Sequence, residues 1–253
     1  MNLLFSSKQH AFNQRRKDNT NNPAPFLHDL LWQDIHDRLH DIKKSFSRPY
    51  YLGNKPPSDF CTALLSSQKI TAPLTSAPMT RDPDHLDLPP QSADLILSVF
   101  DLHTVNDLPG LLVQIRRVLA PDGVLIAAFP GDDTLYELRY ALLHADIEIN
   151  NGASPRVHPT LTRAQMATLM QRAGFTLPVI DGRRITIEYN DFYKLLHDLR
   201  GMGETNTLLT RNLFISRRRV FTHADHIYHS KFLLPTNRIP ATFDMIYLIG
   251  WGG

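Results

Sequence analysis

The feature that most constrains the fold is a pair of short apolar runs separated by one amphipathic segment. ADLILSVF at residues 93–100 and VLIAAF at residues 124–129 are flanked by turn residues, a pattern typical of buried parallel strands. Between them, Asp107 is placed to cap a helix that has Pro109 in its first turn and ends near Leu119. Strand, helix and strand in this order predict a βαβ unit with a right-handed crossover. The sequence therefore predicts an α/β fold with a parallel sheet.

Further helices and strands are expected around this unit. Residues 26–46 carry apolar side chains at spacings of three and four, which predicts an amphipathic helix. We also predict helices over 132–146, 162–173, 191–200 and 222–233, and strands over 184–189 and 242–251. Residues 1–25 are expected to form a flexible N-terminal arm. Residues 26–253 are expected to form a single domain, with a helical cover at about 191–234 inserted between the last two strands.

Glycine and proline are unevenly distributed along the chain. Of the 12 glycines only Gly53 precedes Gly110, whereas eleven of the 18 prolines lie at or before Pro109. A nucleotide-binding half normally concentrates glycine, because phosphate or carboxylate groups approach bare backbone there. An intact glycine-rich cofactor loop is therefore not expected in the first half of the chain.

Charge and cysteine content exclude several classes of protein. The formal net charge is only +2, and no nucleic-acid motif accompanies the basic cluster at Arg211 and residues 217–219, so we expect no nucleic-acid partner. The single cysteine, Cys61, excludes an internal disulfide and a multi-cysteine zinc site.

No apolar run approaches the ~18 residues of a membrane span, and we expect no transmembrane segment. The basic residues Arg15 and Arg16 follow the apolar start, which is opposite to the order in a secretory signal. We expect a cytoplasmic protein in a bacterium, or a mitochondrial matrix protein in a eukaryote.

Four stretches of the chain resemble known proteins. Residues 94–142, which run from DLILSVFDLHTV to DDTLYELRYAL, are similar to the second half of class I S-adenosylmethionine-dependent methyltransferases and, within that fold, resemble the complex I assembly factor 5 family. GASPRVHP at 152–159, DLRGMGETN at 198–206 and PATFDMIYLIGW at 240–251 resemble the respiratory complex I (NADH dehydrogenase) assembly factor 5 family. The resemblance implies a Rossmann-like methyltransferase sheet flanked by helices. It also implies a protein partner, either a complex I subunit or an assembly protein, with S-adenosylmethionine binding and arginine hydroxylation attributed to the family.

The segment expected to hold the cofactor departs from that pattern. In the methyltransferase fold the first strand ends in an acidic residue and a glycine-rich turn, roughly D-x-G-x-G-x-G. The glycines let backbone N–H groups approach the methionine part of the cofactor. In YYLGNKPPSDF, residues 50–60, Tyr51 takes the acidic position, Gly53 is the one glycine that remains, and Lys55 and Pro57 stand at the later glycine positions. We therefore expect an eroded first βαβ unit.

A second cofactor contact is missing from the sequence. No Asp or Glu lies between Asp59 and Asp82, where the fold normally provides an acid for the ribose hydroxyls. The positions that match what remains of the family's pocket are our candidates for cofactor binding: Gly53, Asn54, Asp84, His85, Leu86, Ser98, Val99 and Phe100. The alternative is that the later stretches are simply core and turn. S-adenosylmethionine is therefore a doubtful cofactor, with weak or lost binding expected.

Polar side chains at two strand ends are weak catalytic candidates. Asp101 and His103 follow the first predicted strand, and Asp132 and Asp133 follow the second, where acid–base work is feasible. Equally, such residues serve as packed loop residues or as favourable charges at helix N-termini. The histidines at 223, 226 and 229 recur every three residues, whereas zinc-binding helices more often use a spacing of four, so we expect a solvated face and no metal.

Three functions remain open from the sequence. The leading hypothesis is a methyltransferase-like protein that resembles a complex I assembly factor and acts on or binds a partner protein, with weak or lost S-adenosylmethionine binding. The second is an active S-adenosylmethionine-dependent methyltransferase that acts on a carboxylate or protein substrate. The third is a pseudoenzyme that pairs with an active paralogue.

Overall fold

Helices and strands alternate through most of the chain in a computed structural model, which describes residues 3–18, 26–53, 56–77, 80–81, 84–211 and 218–253. The helices are α1 (Ser7–Asp18), α2 (Phe26–Asp41), α3 (Ser58–Ser66), α4 (Leu108–Val118), α5 (Tyr136–Asn150), α6 (Arg163–Arg172), α7 (Phe192–Gly201) and α8 (Arg218–Phe232). The strands are β1 (Pro49–Leu52), β2 (Thr75–Ala77), β3 (Thr80–Arg81), β4 (Asp84–His85), β5 (Ala93–Val99), β6 (Leu119–Pro130), β7 (Thr176–Tyr189) and β8 (Ile239–Trp251). No helix of these described residues is long and apolar enough to cross a membrane.

Six strands form one sheet in the order β2-β1-β5-β6-β8-β7, and β3 pairs with β4 separately. β1 runs parallel to both β2 and β5, β5 runs parallel to β6, and β6 pairs antiparallel with β8. The predicted α/β fold is confirmed, with parallel pairing from β2 to β6, and so are the helices between the last two strands, α7 and α8. The first βαβ unit, β1-α3-β2, is complete but short, because α3 has nine residues and β2 has three.

The central βαβ unit forms as its local signals predict. Every residue of β5 is buried, and the buried face of α4 includes Leu111, Leu112 and Ile115. The Asp107 carboxylate accepts a hydrogen bond from the Gly110 N–H at 3.0 Å, which confirms the predicted cap. β6 is longer than the predicted run at 124–129, since it begins at Leu119 and ends at Pro130.

Helix α2 is held by charged and polar contacts in addition to its apolar face. Arg183 donates to Asp34 at 2.8 and 3.0 Å, and the Tyr247 hydroxyl donates to the same carboxylate. Arg38 donates to Asp181 at 2.7 Å, and its guanidinium lies 4.0 Å from the centre of the Tyr247 ring. Burial, and after it the hydrogen bond to Asp34, raises the pKa of Tyr247, so the phenol stays a donor. These contacts fix the helix that supplies aromatic side chains to the candidate site.

The expected division into an N-terminal arm and a single domain stays a prediction. The chain divides into two compact units: unit 1 comprises residues 1–25, 132–160 and 184–244, and unit 2 comprises residues 26–131, 161–183 and 245–253. Helix α1 stands within the segment that we expected to be a flexible arm. Its buried Asn13 donates to the Thr205 carbonyl at 2.8 Å, and Arg16 donates to the Thr205 hydroxyl at 3.1 Å. These polar contacts, which are remote in sequence, explain why apolar periodicity did not reveal the helix.

Candidate functional site

The candidate site lies in unit 2, where β1 and β5 end side by side. Leu52 is the register partner of Ser98, so the residues that follow the two strands leave the sheet at the same edge. In open α/β sheets, ligands bind outside the carboxyl ends of the strands. This placement brings Gly53 and Phe100 to the edge where the fold family holds its cofactor.

Two side chains fill the space at the Cβ position of Gly53. A Cβ atom built on Gly53 would lie 2.6 Å from Oδ2 of Asp101 and 2.7 Å from two ring atoms of Tyr51. Real Cβ contacts of that length are not observed, so these two side chains already occupy the space. The φ angle of Gly53 is +150°, a conformation that side-chain-bearing residues rarely adopt. The φ angle and the two adjacent side chains therefore require glycine at this position.

Tyr51 belongs to a cluster of aromatic side chains. The Tyr51 ring lies 5.4 Å from the ring of Trp32 on α2, and Trp32 lies 4.4 Å from Phe60 on α3. All three side chains are buried. Aromatic pairs at such separations stabilise each other beyond the area that they bury. Sequence reasoning missed Trp32 and Phe60. The one available signal was the tyrosine at the acidic position, which needs apolar neighbours.

The two residues that lead into α3 are prolines and supply no backbone donors. Pro57 occupies the N-cap position with φ −60° and ψ 135°, and its side chain makes no capping hydrogen bond. Pro56 precedes it, and neither proline has an N–H group. The N–H groups of the first helical turn, which bind anions in other proteins, come from Ser58 onward, and the two residues before them supply none. The candidate Asn54, and Lys55 at the later glycine position, lie outside the described residues.

The candidates on and beside β4 are held by hydrogen bonds to α4 and its cap. Oδ2 of Asp84 accepts from the Asp107 N–H at 2.7 Å, and Gln114 bonds both the Asp84 carbonyl, at 3.2 Å, and the Leu86 N–H, at 2.9 Å. Asp84 and Leu86 are buried, whereas His85 is exposed. Oδ1 of Asp84 is buried with no hydrogen-bond partner among the described residues. A buried carboxylate oxygen is costly to leave unpaired, so this atom can accept from a ligand.

The three candidates at the end of β5 are buried, and one of them carries a polar side chain. Ser98, Val99 and Phe100 are all buried, and the Ser98 hydroxyl has no hydrogen-bond partner in the described part of the chain. Phe100 adopts a left-handed φ of 60°, and its N–H donates to the Ala128 carbonyl at 3.0 Å. A bulky residue in this region is strained. Its ring stacks on His28 of α2 at 4.5 Å.

The four catalytic candidates fall in different units. Asp101 and His103 belong to unit 2, where Asp101 lies against Gly53 and the His103 ring meets Phe100 edge-on at 6.0 Å. Asp132 and Asp133 belong to unit 1, and Asp133 pairs with Arg184 at an exposed position. Neither aspartate caps the next helix, because α5 begins at Tyr136. A catalytic role for any of the four stays a prediction.

The predicted histidine run is paired with acidic groups. His223 contacts Glu148, and Nδ1 of His229 lies 2.9 Å from Asp225. Within the described ranges, no group of three or more His, Cys, Asp or Glu side chains is arranged to hold a metal.

S-adenosylmethionine, the cofactor of this fold family, fits only part of the site. The unpaired Asp84 oxygen and the Ser98 hydroxyl suit the polar edge of a ligand. Beside Gly53, the methionine part would meet the side chains of Tyr51 and Asp101, which already fill the Cβ position of the glycine. The described residues therefore retain polar groups on β4 and β5 and are crowded at the first residue after β1.

The fold and this strand-end site define a protein of the class I methyltransferase fold. The family described as a methyltransferase domain matches residues 58–127. A methyltransferase-like protein of Bacillus halodurans aligns with 85% of this chain and 97% of its own, with a TM-score of 0.53 and 10% identity. The YcgJ protein of Bacillus subtilis aligns with 87% of this chain and 97% of its own, with a TM-score of 0.50. At 10–12% identity these likenesses establish the fold alone.

Sequence relatives identify the family within that class. The human protein named arginine-hydroxylase NDUFAF5, mitochondrial is 34% identical over 250 residues, which cover 90% of this chain and 72% of the relative. The zebrafish protein of that name is 31% identical, with 89% and 75% covered. The Dictyostelium discoideum protein is 43% identical over 162 residues, which span 64% of this chain and 37% of the relative. The chain belongs to the NDUFAF5 family, as the four sequence stretches predicted.

Proposed function

We propose that this protein assists the assembly of respiratory complex I by binding a partner protein on a methyltransferase scaffold whose S-adenosylmethionine binding is weak or lost. The partner is a complex I subunit or another assembly protein. Membership of the NDUFAF5 family and the methyltransferase fold support this proposal. The place of action is the cytoplasm if the protein is bacterial and the mitochondrial matrix if it is eukaryotic; the names of five NDUFAF5 relatives include the word mitochondrial.

The covered face of Gly53 carries the proposal. In a methyltransferase that works on its own, backbone N–H groups of the loop after β1 grip the methionine carboxylate. Here that loop contributes two prolines, and its first glycine is packed between Tyr51 and Asp101. Tyr51 is in turn buried against Trp32. Opening this space requires exposing aromatic surface, which opposes cofactor binding.

A specific observation keeps an active methyltransferase as a second candidate function. Oδ1 of Asp84 and the Ser98 hydroxyl are buried without partners, as expected for a site that waits for a polar ligand. A Halorhodospira halophila protein named malonyl-[acyl-carrier protein] O-methyltransferase is 30% identical over 77% of this chain and 64% of its own. On this alternative, the substrate is a carboxylate or a protein. A pseudoenzyme that pairs with an active paralogue is the third candidate, and the eroded β1 loop supports it.

Two readouts in one host separate these functions. The full chain, tagged and expressed in a host strain that lacks its gene, should restore mature complex I on native gels and co-purify with a complex I subunit or assembly protein. Extract of the gene-deleted strain, incubated with purified protein and methyl-labelled S-adenosylmethionine, should show no protein labelling that depends on the chain. Restored assembly without any co-purified complex I component would contradict the partner role, whereas chain-dependent labelling would favour the enzyme.

A further inference from the structure

Helix α5 in unit 1 buries two of its three acidic side chains and exposes large apolar ones. Glu137 and Asp146 are completely buried. The exposed apolar residues form what we call the α5 stripe: Tyr136, Tyr140, Leu143 and Ile147, which are 36–47% exposed. Successive spacings of four, three and four place these residues on one helix face. At 1.5 Å per residue, the stripe is about 16 Å long.

The buried acids are fully engaged, so the orientation of α5 is fixed by the fold. Arg156 donates to Asp146 at 2.5 and 2.7 Å, and Asn150 donates to the same carboxylate at 2.9 Å. Glu137 accepts from the Thr242 N–H at 3.2 Å and from the Thr242 hydroxyl at 2.5 Å. Rotating α5 to bury the stripe would break both sets of bonds, and freeing a buried ion pair is costly. The stripe is therefore a stable feature of the surface.

Helix α8, which packs along α5, extends the apolar surface. The Phe232 ring meets Tyr136 at 5.9 Å and Tyr140 at 5.6 Å, both edge-on. Leu233, directly after α8, is 47% exposed. Two adjacent helices with apolar side chains between them form the ridges and grooves onto which a further helix packs.

The rim of this surface is cationic. Nζ of Lys231 lies 5.9 Å from the centre of the Tyr140 ring, and Lys231, Arg218 and Arg219 are exposed on α8. Outside the core, α5 and α8 carry only two acidic side chains, Glu148 and Asp225, which contact His223 and His229. Cations therefore outnumber acids on the surface of these two helices, which favours a partner with acidic flanks.

We propose that the α5 stripe is the docking site for an amphipathic helix of the partner protein, whose apolar face covers the stripe and whose acidic flanks meet the rim. This inference rests on the proposed protein-binding function. A second copy of the chain is disfavoured, because it would bring the same cations face to face. A bilayer is disfavoured too, because each side chain of the stripe is less than half exposed and projects too little to insert.

A pair of synthetic peptides tests the surface directly. Both peptides are helical and about 18 residues long, a length at which helices persist in water. They share one leucine stripe, and one carries Glu and the other Lys at every flanking position. Fluorescence anisotropy with the full chain should show binding of the acidic peptide that is at least about tenfold tighter than that of the basic peptide and that weakens with added salt.

Single substitutions locate the contact. Leu143→Asp and Ile147→Asp should each weaken binding of the acidic peptide by about tenfold or more, since each places a negative charge within the covered stripe. The matched control is Val113→Asp, a 54% exposed position on α4 of unit 2, which should leave the affinity unchanged. Circular dichroism checks that all three variants are folded.

Several results would overturn this inference. They are equal affinity for the two peptides, no binding of either peptide, or an equal loss with Val113→Asp. A dimer in light scattering that Leu143→Asp dissociates would assign the stripe to a second copy. Sedimentation with phosphatidylserine vesicles that Ile147→Asp abolishes would assign it to a membrane. None of these results bears on whether the full chain restores complex I in the host, so a failure of the surface and a failure of the proposed function can be distinguished.

Discussion

Replacing Asp146 with Asn removes the charge that anchors α5. The Asp146 side chain is fully buried, and the Arg156 side chain is only 11% exposed, with contacts of 2.5 and 2.7 Å between them. The substitution leaves the guanidinium largely buried without its counter-charge. Removing one partner of a buried pair typically costs 3–5 kcal/mol, and because Asn keeps one acceptor oxygen we expect the low end, about 3 kcal/mol. That is a large share of the roughly 5–15 kcal/mol by which proteins are stable.

Urea unfolding followed by far-ultraviolet circular dichroism measures this loss. The control is Asp122→Asn, which breaks the pair of Lys44 and Asp122 at 2.5 Å. The Asp122 side chain is 76% exposed, so its loss should change the free energy of unfolding little. Equal losses for the two variants, or a loss below about 1 kcal/mol for Asp146→Asn, would show that the buried pair does not hold α5.

Three further predictions follow from local contacts. Thr162→Ala removes a capping box in which Thr162 accepts from the Gln165 N–H at 3.1 Å, and urea unfolding should show a loss of about 1 kcal/mol, whereas Thr162→Ser should lose less. Gly53→Ala places a Cβ 2.6 Å from Asp101 at a φ of +150° and should lower the free energy of unfolding by about 1–3 kcal/mol; an unchanged midpoint would refute the crowding. Burial raises the pKa of the Cys61 thiol, so less thiolate forms at neutral pH. Alkylation of Cys61 should therefore be slower in the folded chain than in the urea-unfolded chain, and its rate should increase with pH. Equal alkylation rates in the two states would contradict this.

Local signals made the central part of the fold predictable. The apolar run of β5, the Asp107 cap of α4 and the Thr162 cap of α6 each depend on residues close in sequence, and all three form. Helix α1 was not predicted, because its anchor Asn13 bonds to Thr205, far along the chain. The strand predicted over 184–189 begins eight residues earlier, at Thr176, because sheet pairing extends it beyond the alternating segment.

The missing cofactor contacts were predictable from the sequence, but the side chains that take their place were not. The sequence indicated that Tyr51 stands in place of an acid and that prolines follow Gly53. It did not indicate that Asp101, 48 positions after Gly53, would lie against that glycine, or that Trp32 would pack on Tyr51. These contacts depend on the parallel pairing of β1 with β5 and on the placement of α2, which are tertiary features.

Isothermal titration of the full chain with S-adenosylmethionine and S-adenosylhomocysteine tests the covered face of Gly53 most directly. We expect no saturable binding of either ligand in the low micromolar range, because the methionine part meets Tyr51 and Asp101 where it needs bare backbone. Low micromolar binding of both ligands would contradict the proposal of a weak or lost cofactor site and would make the protein an S-adenosylmethionine-binding member of its family.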